Sequence, residues 1–75
     1  MNREILKDIE LLKKEGEICY YDNNNEEILH IFTKRKNNCF LYEKVRNAEY
    51  GAWCIKEECL RNEAELSEKI LKITL

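Results

Sequence analysis

Residues 27–45, EILHIFTKRKNNCFLYEKV, decide the fold of this 75-residue chain. Two apolar, β-prone runs, 27–34 and 39–45, lie on either side of a polar turn at residues 36–38. Asparagine favours such turns because it accepts left-handed backbone dihedrals. Two β-prone runs joined by a short turn predict an antiparallel hairpin.

An earlier β-prone run at residues 17–22 and the Asp/Asn cluster at 22–25 extend this hairpin to a three-stranded meander. The middle strand, 27–34, is apolar on both faces, although a sheet with one face in water alternates more cleanly. Ile28, His30 and Phe32 share one face, and Leu29 and Ile31 share the other. We therefore expect helices on one face and a partly exposed apolar or aromatic surface on the other.

The first segment, residues 2–14, is predicted to be a helix. Ile5, Ile9 and Leu12 recur at helical spacing and form an apolar stripe. Asn2 can cap its N-terminus, and Gly16 is a natural stop because glycine tolerates a left-handed conformation.

The C-terminal part predicts a helix at 56–72, preceded either by a short fourth strand at 50–55, which we favour, or by a loop whose aromatic side chains fill the core. The helix rests on Glu-to-base pairs four residues apart, such as Glu65 with Lys69, and on an apolar face. That face consists of Ile55, Cys59, Leu66, Ile70 and Ile73. A competing interpretation starts a shorter helix at Asn62, which would form a capping-box-like pair with Glu65. Residues 1–75 are thus one α+β domain, with both helices on one sheet face.

The composition excludes several classes of protein. A net charge of −2 argues against a DNA-coating protein, and 44 % apolar residues with regular spacing argue against disorder. No apolar run approaches the roughly 18 residues of a membrane span, and residues 1–8 are too charged for a signal peptide. We expect a cytoplasmic protein without a membrane association.

The four cysteines, Cys19, Cys39, Cys54 and Cys59, are expected to be buried structural thiols, since disulfides do not persist in a reducing compartment. Their spacings match no close zinc knuckle. Zinc binding and redox roles remain alternatives, and no cofactor or metal is predicted.

Basic residues concentrate in the segment 31–46, where five of them accompany one acidic residue. Together with aromatic residues of the neighbouring strands, they form a hypothetical partner-binding site. Basic residues of a hairpin can contact phosphates or other anions, and aromatic rings on strands can stack with bases. Its residues are Lys34, Arg35, Lys36, Lys44, Arg46, Tyr20, Phe40 and Tyr42. A solvated turn whose lysines protect a sheet edge is the simpler alternative.

A second hypothesis concerns self-association. Leu60, Ala64, Ser67 and Leu71 recur at helical spacing away from the main apolar face of the predicted last helix. Such a stripe can receive another helix and make the chain a homodimer; two incidental surface leucines in a monomer are the alternative.

The sequence contains no catalytic constellation. The single histidine, His30, is expected to lie across from Glu43 if the second hairpin turns at Lys36 and Asn37. A nucleophile, a base and an orienting group within mutual reach are not apparent, and no glycine-rich phosphate loop occurs. No catalytic residue is therefore assigned, and the chain is not expected to be an enzyme.

These observations favour a small non-catalytic protein that binds a partner protein and modulates or inhibits it. Asn, Lys and Ile supply 25 of the 75 residues, a bias typical of AT-rich coding DNA. In size and composition the chain resembles phage or mobile-element accessory proteins of low-GC bacteria, including inhibitors of host defence. The alternative is nucleic-acid or nucleotide binding through the sheet aromatics and the basic hairpin.

Overall fold

A computed structural model describes residues 3–74 and contains two helices and four strands. In chain order they are α1 (Arg3–Glu15), β1 (Glu17–Tyr21), β2 (Ile28–Lys34), β3 (Phe40–Ala48), β4 (Gly51–Leu60) and α2 (Glu63–Thr74). The strands form one antiparallel sheet in the order β1-β2-β3-β4, so each strand pairs with its neighbour in sequence. The predicted α+β class and antiparallel meander are confirmed.

Helix α1 follows its apolar stripe. Ile5, Ile9 and Leu12 are all buried, as the spacing predicted. Gly16 ends the helix with φ of 91°, and its N–H donates to the carbonyl of Leu12 at 2.8 Å. Asn2, the predicted cap, lies outside the described residues.

The turn between β2 and β3 contains two residues in the left-handed backbone conformation. Asn37 and Asn38 have φ of 60° and 59°, which asparagine tolerates better than most residues. The N–H of Cys39 donates to the carbonyl of Lys36 at 3.3 Å and closes the turn. This turn is centred one residue later than the predicted Lys36–Asn37 pair.

Strand β4 is longer than expected, and the predicted helix over 56–72 was wrong over residues 56–62. Residues 56–60 continue β4, where Leu60 lies opposite Phe40 in the register and is only 3 % exposed. Pairing with a long β3 outweighs the helical spacing of the charges, because tertiary context overrides local propensity.

Helix α2 begins at the capping pair of Asn62 and Glu65, the signal of the competing interpretation. Asn62 Oδ1 accepts from the N–H of Glu65 at 2.9 Å, and Glu65 Oε2 accepts from the N–H of Arg61 at 2.8 Å. The first bond satisfies an amide group that the first helical turn leaves free, and the second connects Glu65 to the residue before the cap. The shorter helix beginning after Asn62 is therefore the correct interpretation.

Both helices pack on the same face of the sheet and enclose one core with its inward side chains. The core residues are Ile5, Ile9, Leu12, Ile18, Phe32, Phe40, Tyr42, Leu60, Leu66 and Ile70. Phe32 lies at the centre of β2, with ring centroids 6.0 Å from Tyr20 and 5.2 Å from Tyr42. Ile55 and Cys59, assigned to the core face of the predicted helix, are instead exposed in β4.

Leu60→Ala is expected to lower the free energy of unfolding by about 2–5 kcal/mol, because it leaves a cavity in the core. Leu11→Ala on α1, where the side chain is 47 % exposed, should change it by no more than about 0.5 kcal/mol. Urea denaturation followed by circular dichroism measures both. Equal losses in the two variants would contradict the placement of Leu60 in the core.

Candidate functional site

The sheet has an open face, the side that neither helix covers, and the centre of this face is apolar. The centre consists of Leu29, Ile31, Leu41 and Val45, all partly accessible to solvent. Leu29 lies directly opposite Val45, and these residues alternate along β2 and β3 with the buried ones. The partly exposed apolar surface expected from the middle strand is present.

The open face extends onto both outer strands. Tyr21 lies opposite Leu29 on β1, and Cys19 lies opposite Ile31. On β4, Cys59 lies opposite Leu41, and Cys54 lies opposite Val45. A register shift between Lys44 and Val45 leaves Ile55 as an extra residue, the arrangement of a β-bulge.

The sheet separates its charges by face. Three carboxylates, those of Glu17, Glu43 and Glu57, occupy open-face positions. The basic residues of the four strands all occupy positions on the helix-covered side: Lys34, Lys44, Arg46 and Lys56. No described strand position on the open face therefore carries a positive charge.

Glu43 and Glu57 lie directly opposite each other on the open face. Like charges in this arrangement repel and destabilise the strand pair. Ligand atoms of Glu43, Cys54 and Glu57 all lie within 4.8 Å of one another. These are ligand types that zinc accepts, although exposed acidic groups also gather in this way without a metal.

The prediction of buried cysteines was wrong. Cys19, Cys54 and Cys59 are exposed, Cys39 is half-buried, and all four are free thiols. The three exposed ones lie on the open face because the strand alternation turns them away from the helices.

A buried polar chain lies on the other side of the sheet. Tyr42 Oη is 2.7 Å from His30 Nδ1, and Asp22 Oδ1 is 2.8 Å from His30 Nε2. His30 is 3 % exposed, and Lys44, not Glu43, lies opposite it in the register. The predicted His–Glu pair is therefore replaced by a link from the sheet to the loop after β1.

Helix α2 adds a further side chain, that of Lys69, to this series of polar contacts. The ammonium group of Lys69 lies 4.9 Å from the ring centroid of Tyr42 and forms an ion pair with Glu58 at 2.6 Å. The hydrogen bond from Lys69 lowers the pKa of Glu58. Burial, followed by the charges of Glu58 and Asp22, raises the pKa of Tyr42. The loop, three strands and the helix are thus held together by polar contacts.

The predicted basic residues do not form one patch. Lys34, Arg35 and Lys36 lie at the end of β2, whereas Arg46 on β3 lies opposite Ile28 at its start. Lys34 follows Ile28 by six positions along β2, a distance of about 20 Å.

Some of these cations already have partners. Lys34 Nζ donates to the carbonyl of Lys13 at 3.4 Å, near the end of α1, where a cation is favourable. Arg46 pairs with Glu27 at 3.1 Å, and Lys44 lies close enough to Asp22 to lower its pKa slightly.

The predicted binding aromatics are core residues. Phe40 is 1 % exposed and Tyr42 is equally enclosed, while Tyr20 is half-buried and donates to Asp8 at 2.6 Å. Burial and Asp8 together raise the pKa of Tyr20. Their rings point toward the helices, because residues 20, 40 and 42 fall on the inward alternation of β1 and β3. They offer no stacking surface to a partner.

The predicted self-association stripe is also divided. Leu60 lies in β4 and is buried, so it does not share a helix surface with the other three residues. Ser67 is buried, and with Ala64 and Leu71 it lines a groove between α1 and α2. The small side chains therefore face the neighbouring helix of the same chain.

The sequence reasoning missed the projecting half of the β3–β4 hairpin. Every residue from Gly51 to Glu57 is exposed. Trp53, opposite Arg46, is 50 % exposed, and Tyr50 at the turn is 95 % exposed. The run at residues 50–55, in which five of six residues are apolar, was the available signal, since it gave no helical period.

Comparison with protein-family models, curated proteins and solved structures finds no match to this chain. Within residues 3–74, neither helix is long and apolar enough to cross a membrane.

Asp22→Asn is expected to destabilise the fold at neutral pH. The hydrogen bond with His30, followed by that from the N–H of Asn24, lowers the pKa of Asp22. A carboxylate with a lowered folded pKa stabilises the fold above its unfolded value of about 3.9, and this contribution is lost as the pH falls through the folded pKa. Urea midpoints measured from neutral to acid pH should therefore converge for variant and wild type.

Glu26→Gln, in the same loop and exposed, is the matched control for the loss of a carboxylate. It should leave the pH profile of stability close to that of the wild type. A constant difference between Asp22→Asn and wild type at all pH values would contradict the charge-dependent contribution.

The thiols offer a direct check of the open face. Three of the four cysteines should react rapidly with Ellman's reagent in the native protein, and Cys39 more slowly. All four should react rapidly in denaturant. Protection of Cys19, Cys54 or Cys59 in the native protein would show that something covers this face.

Proposed function

We propose that this protein is a small non-catalytic binding protein that docks a partner protein on the open face of its sheet and modulates or inhibits that partner. The observation that carries the proposal is the uncovered apolar centre, Leu29, Ile31, Leu41 and Val45. An antiparallel sheet covered on one side ordinarily turns polar residues to water on the other. Contiguous exposed apolar surface bordered by polar groups is typical of interaction sites.

The energetic basis is the removal of this surface from water. Each square ångström of apolar surface that a partner covers contributes roughly 25 cal/mol, before the costs of association. The face is also rigid, because its strands are hydrogen-bonded neighbours and their opposite side chains are fixed in the core. Little conformational entropy would therefore be lost when a partner binds.

Nucleic-acid binding, the alternative, has less support. Phe40 and Tyr42 are enclosed in the core, and the basic residues are divided between opposite ends of β2. The carboxylates Glu17, Glu43 and Glu57 would repel phosphates from the open face. We also propose that the protein is cytoplasmic and is an accessory protein of a mobile element, of the anti-defence type. This part of the proposal rests on composition.

The test is a pair of substitutions at the centre of the open face. Ile31→Thr with Val45→Thr keeps β-branched residues in the strands but replaces apolar surface with hydroxyl groups. A partner captured by the wild-type protein and then purified should bind this double variant at least about tenfold more weakly, as removal of a central anchor does. Isothermal titration measures the affinity, and circular dichroism verifies the fold.

Leu6→Gln with Leu11→Gln is the matched control, because both leucines are about half exposed on α1 and neither lies on the open face. It should retain wild-type affinity. Unchanged binding by the open-face variant, or equal loss in the control, would contradict docking on this face. Binding of oligonucleotides that weakens steeply with salt would support the alternative instead.

A further inference from the structure

We infer that the occupant of the open face is a basic amphipathic helix of a partner protein. This inference rests on the proposed function and specifies the chemistry of the partner. The helix would place its apolar stripe on the aliphatic centre and direct lysine or arginine side chains to Glu43 and Glu57. An α-helix with its side chains is about 10–12 Å across, which matches two to three strand spacings of about 4.8 Å.

The charges of the open face determine the sign of the charge on the partner's surface. Every charged strand residue on this face is a carboxylate, and every basic strand residue lies on the other side. Interfaces between proteins are arranged so that opposite potentials meet. A partner with negative or purely apolar side chains would leave these carboxylates without a counter-charge.

Glu43 and Glu57 define the place on the open face where a positive charge of the partner is most favourable. The two residues are cross-strand neighbours, and their carboxylates repel in the free protein. The cations nearest to them in sequence, Lys44 and Lys56, are also opposite each other but on the helix-covered side. A guanidinium or ammonium group from a partner can lie between the two carboxylates, and it removes this repulsion on binding.

The same charges argue against a second copy of this chain. Two open faces packed on each other would bring together six carboxylates, three from each copy, with no basic strand residue between them. Such like-charge contacts cost several kcal/mol at an interface. The open face is thus complementary to a basic surface and not to itself.

The experiment uses two model helical peptides of equal length, one of leucine and lysine and one of leucine and glutamate, with identical apolar stripes. Isotope-labelled protein of residues 1–75 is titrated with each peptide, and the changes in amide chemical shift are recorded. The leucine–lysine peptide should shift residues of β2, β3 and β4 around the open face, and its affinity should fall as salt rises. The leucine–glutamate peptide should bind at least about tenfold more weakly.

Glu43→Gln with Glu57→Gln should weaken binding of the leucine–lysine peptide by roughly two- to thirtyfold, since it removes two exposed ion pairs with the peptide. Glu10→Gln with Glu68→Gln, on exposed positions of α1 and α2, is the control with the same net charge. It should retain most of the affinity, because only the long-range attraction is reduced. Equal weakening in the two double variants would overturn the local role of Glu43 and Glu57.

The remaining outcomes separate this inference from the proposed function. Equal binding of both peptides to the open face would leave docking on this face intact and overturn the basic partner. Shifts confined to the helices or to the projecting hairpin, or no shifts with either peptide, would overturn both. Dimerisation of the wild-type protein through the open face, seen by sedimentation, would overturn the basic helix in favour of a second copy.

Discussion

The alternation of β2 is the constraint on which the other features depend. Phe32 and its inward neighbours need a second layer to exclude water, and the two helices supply that layer on one side only. Because side chains alternate strictly along a strand, burying this set commits Leu29 and Ile31 to the other side. Within residues 3–74 both helices pack on the inward side and no described element covers Leu29 and Ile31, so the apolar open face is a direct result of the core.

Polar contacts secure the same arrangement from within. Asp22, His30 and Tyr42 connect the loop after β1 to the centre of the sheet, and Lys69 brings in α2. Slippage of β2 by one residue would expose Phe32 and remove His30 from both of its partners. Core packing and the polar chain therefore select the same register, which keeps the open face fixed in composition.

Much of the architecture could be predicted from local patterns. Gly16, the apolar stripe of α1 and the Asn-rich turns carry signals that act over a few residues, and these were sufficient for the meander and the first helix. Residues 56–60 could not be assigned in this way, because their conformation depends on pairing with β3. The grouping and exposure of the candidate site residues could not be predicted for a related reason: the distance between Lys36 and Arg46, and the burial of Phe40, depend on strand register and on where the helices pack.

The position of the single tryptophan has a consequence for spectroscopy. Trp53 is half exposed in the projecting hairpin, and it precedes Leu60 in the core by seven positions along β4. At roughly 3.3 Å per residue this is on the order of 20 Å. Its emission therefore reports on the hairpin and on anything that binds there, while the buried tyrosine rings report on the core. Opening of the hairpin alone would change the fluorescence of a protein whose core is still folded.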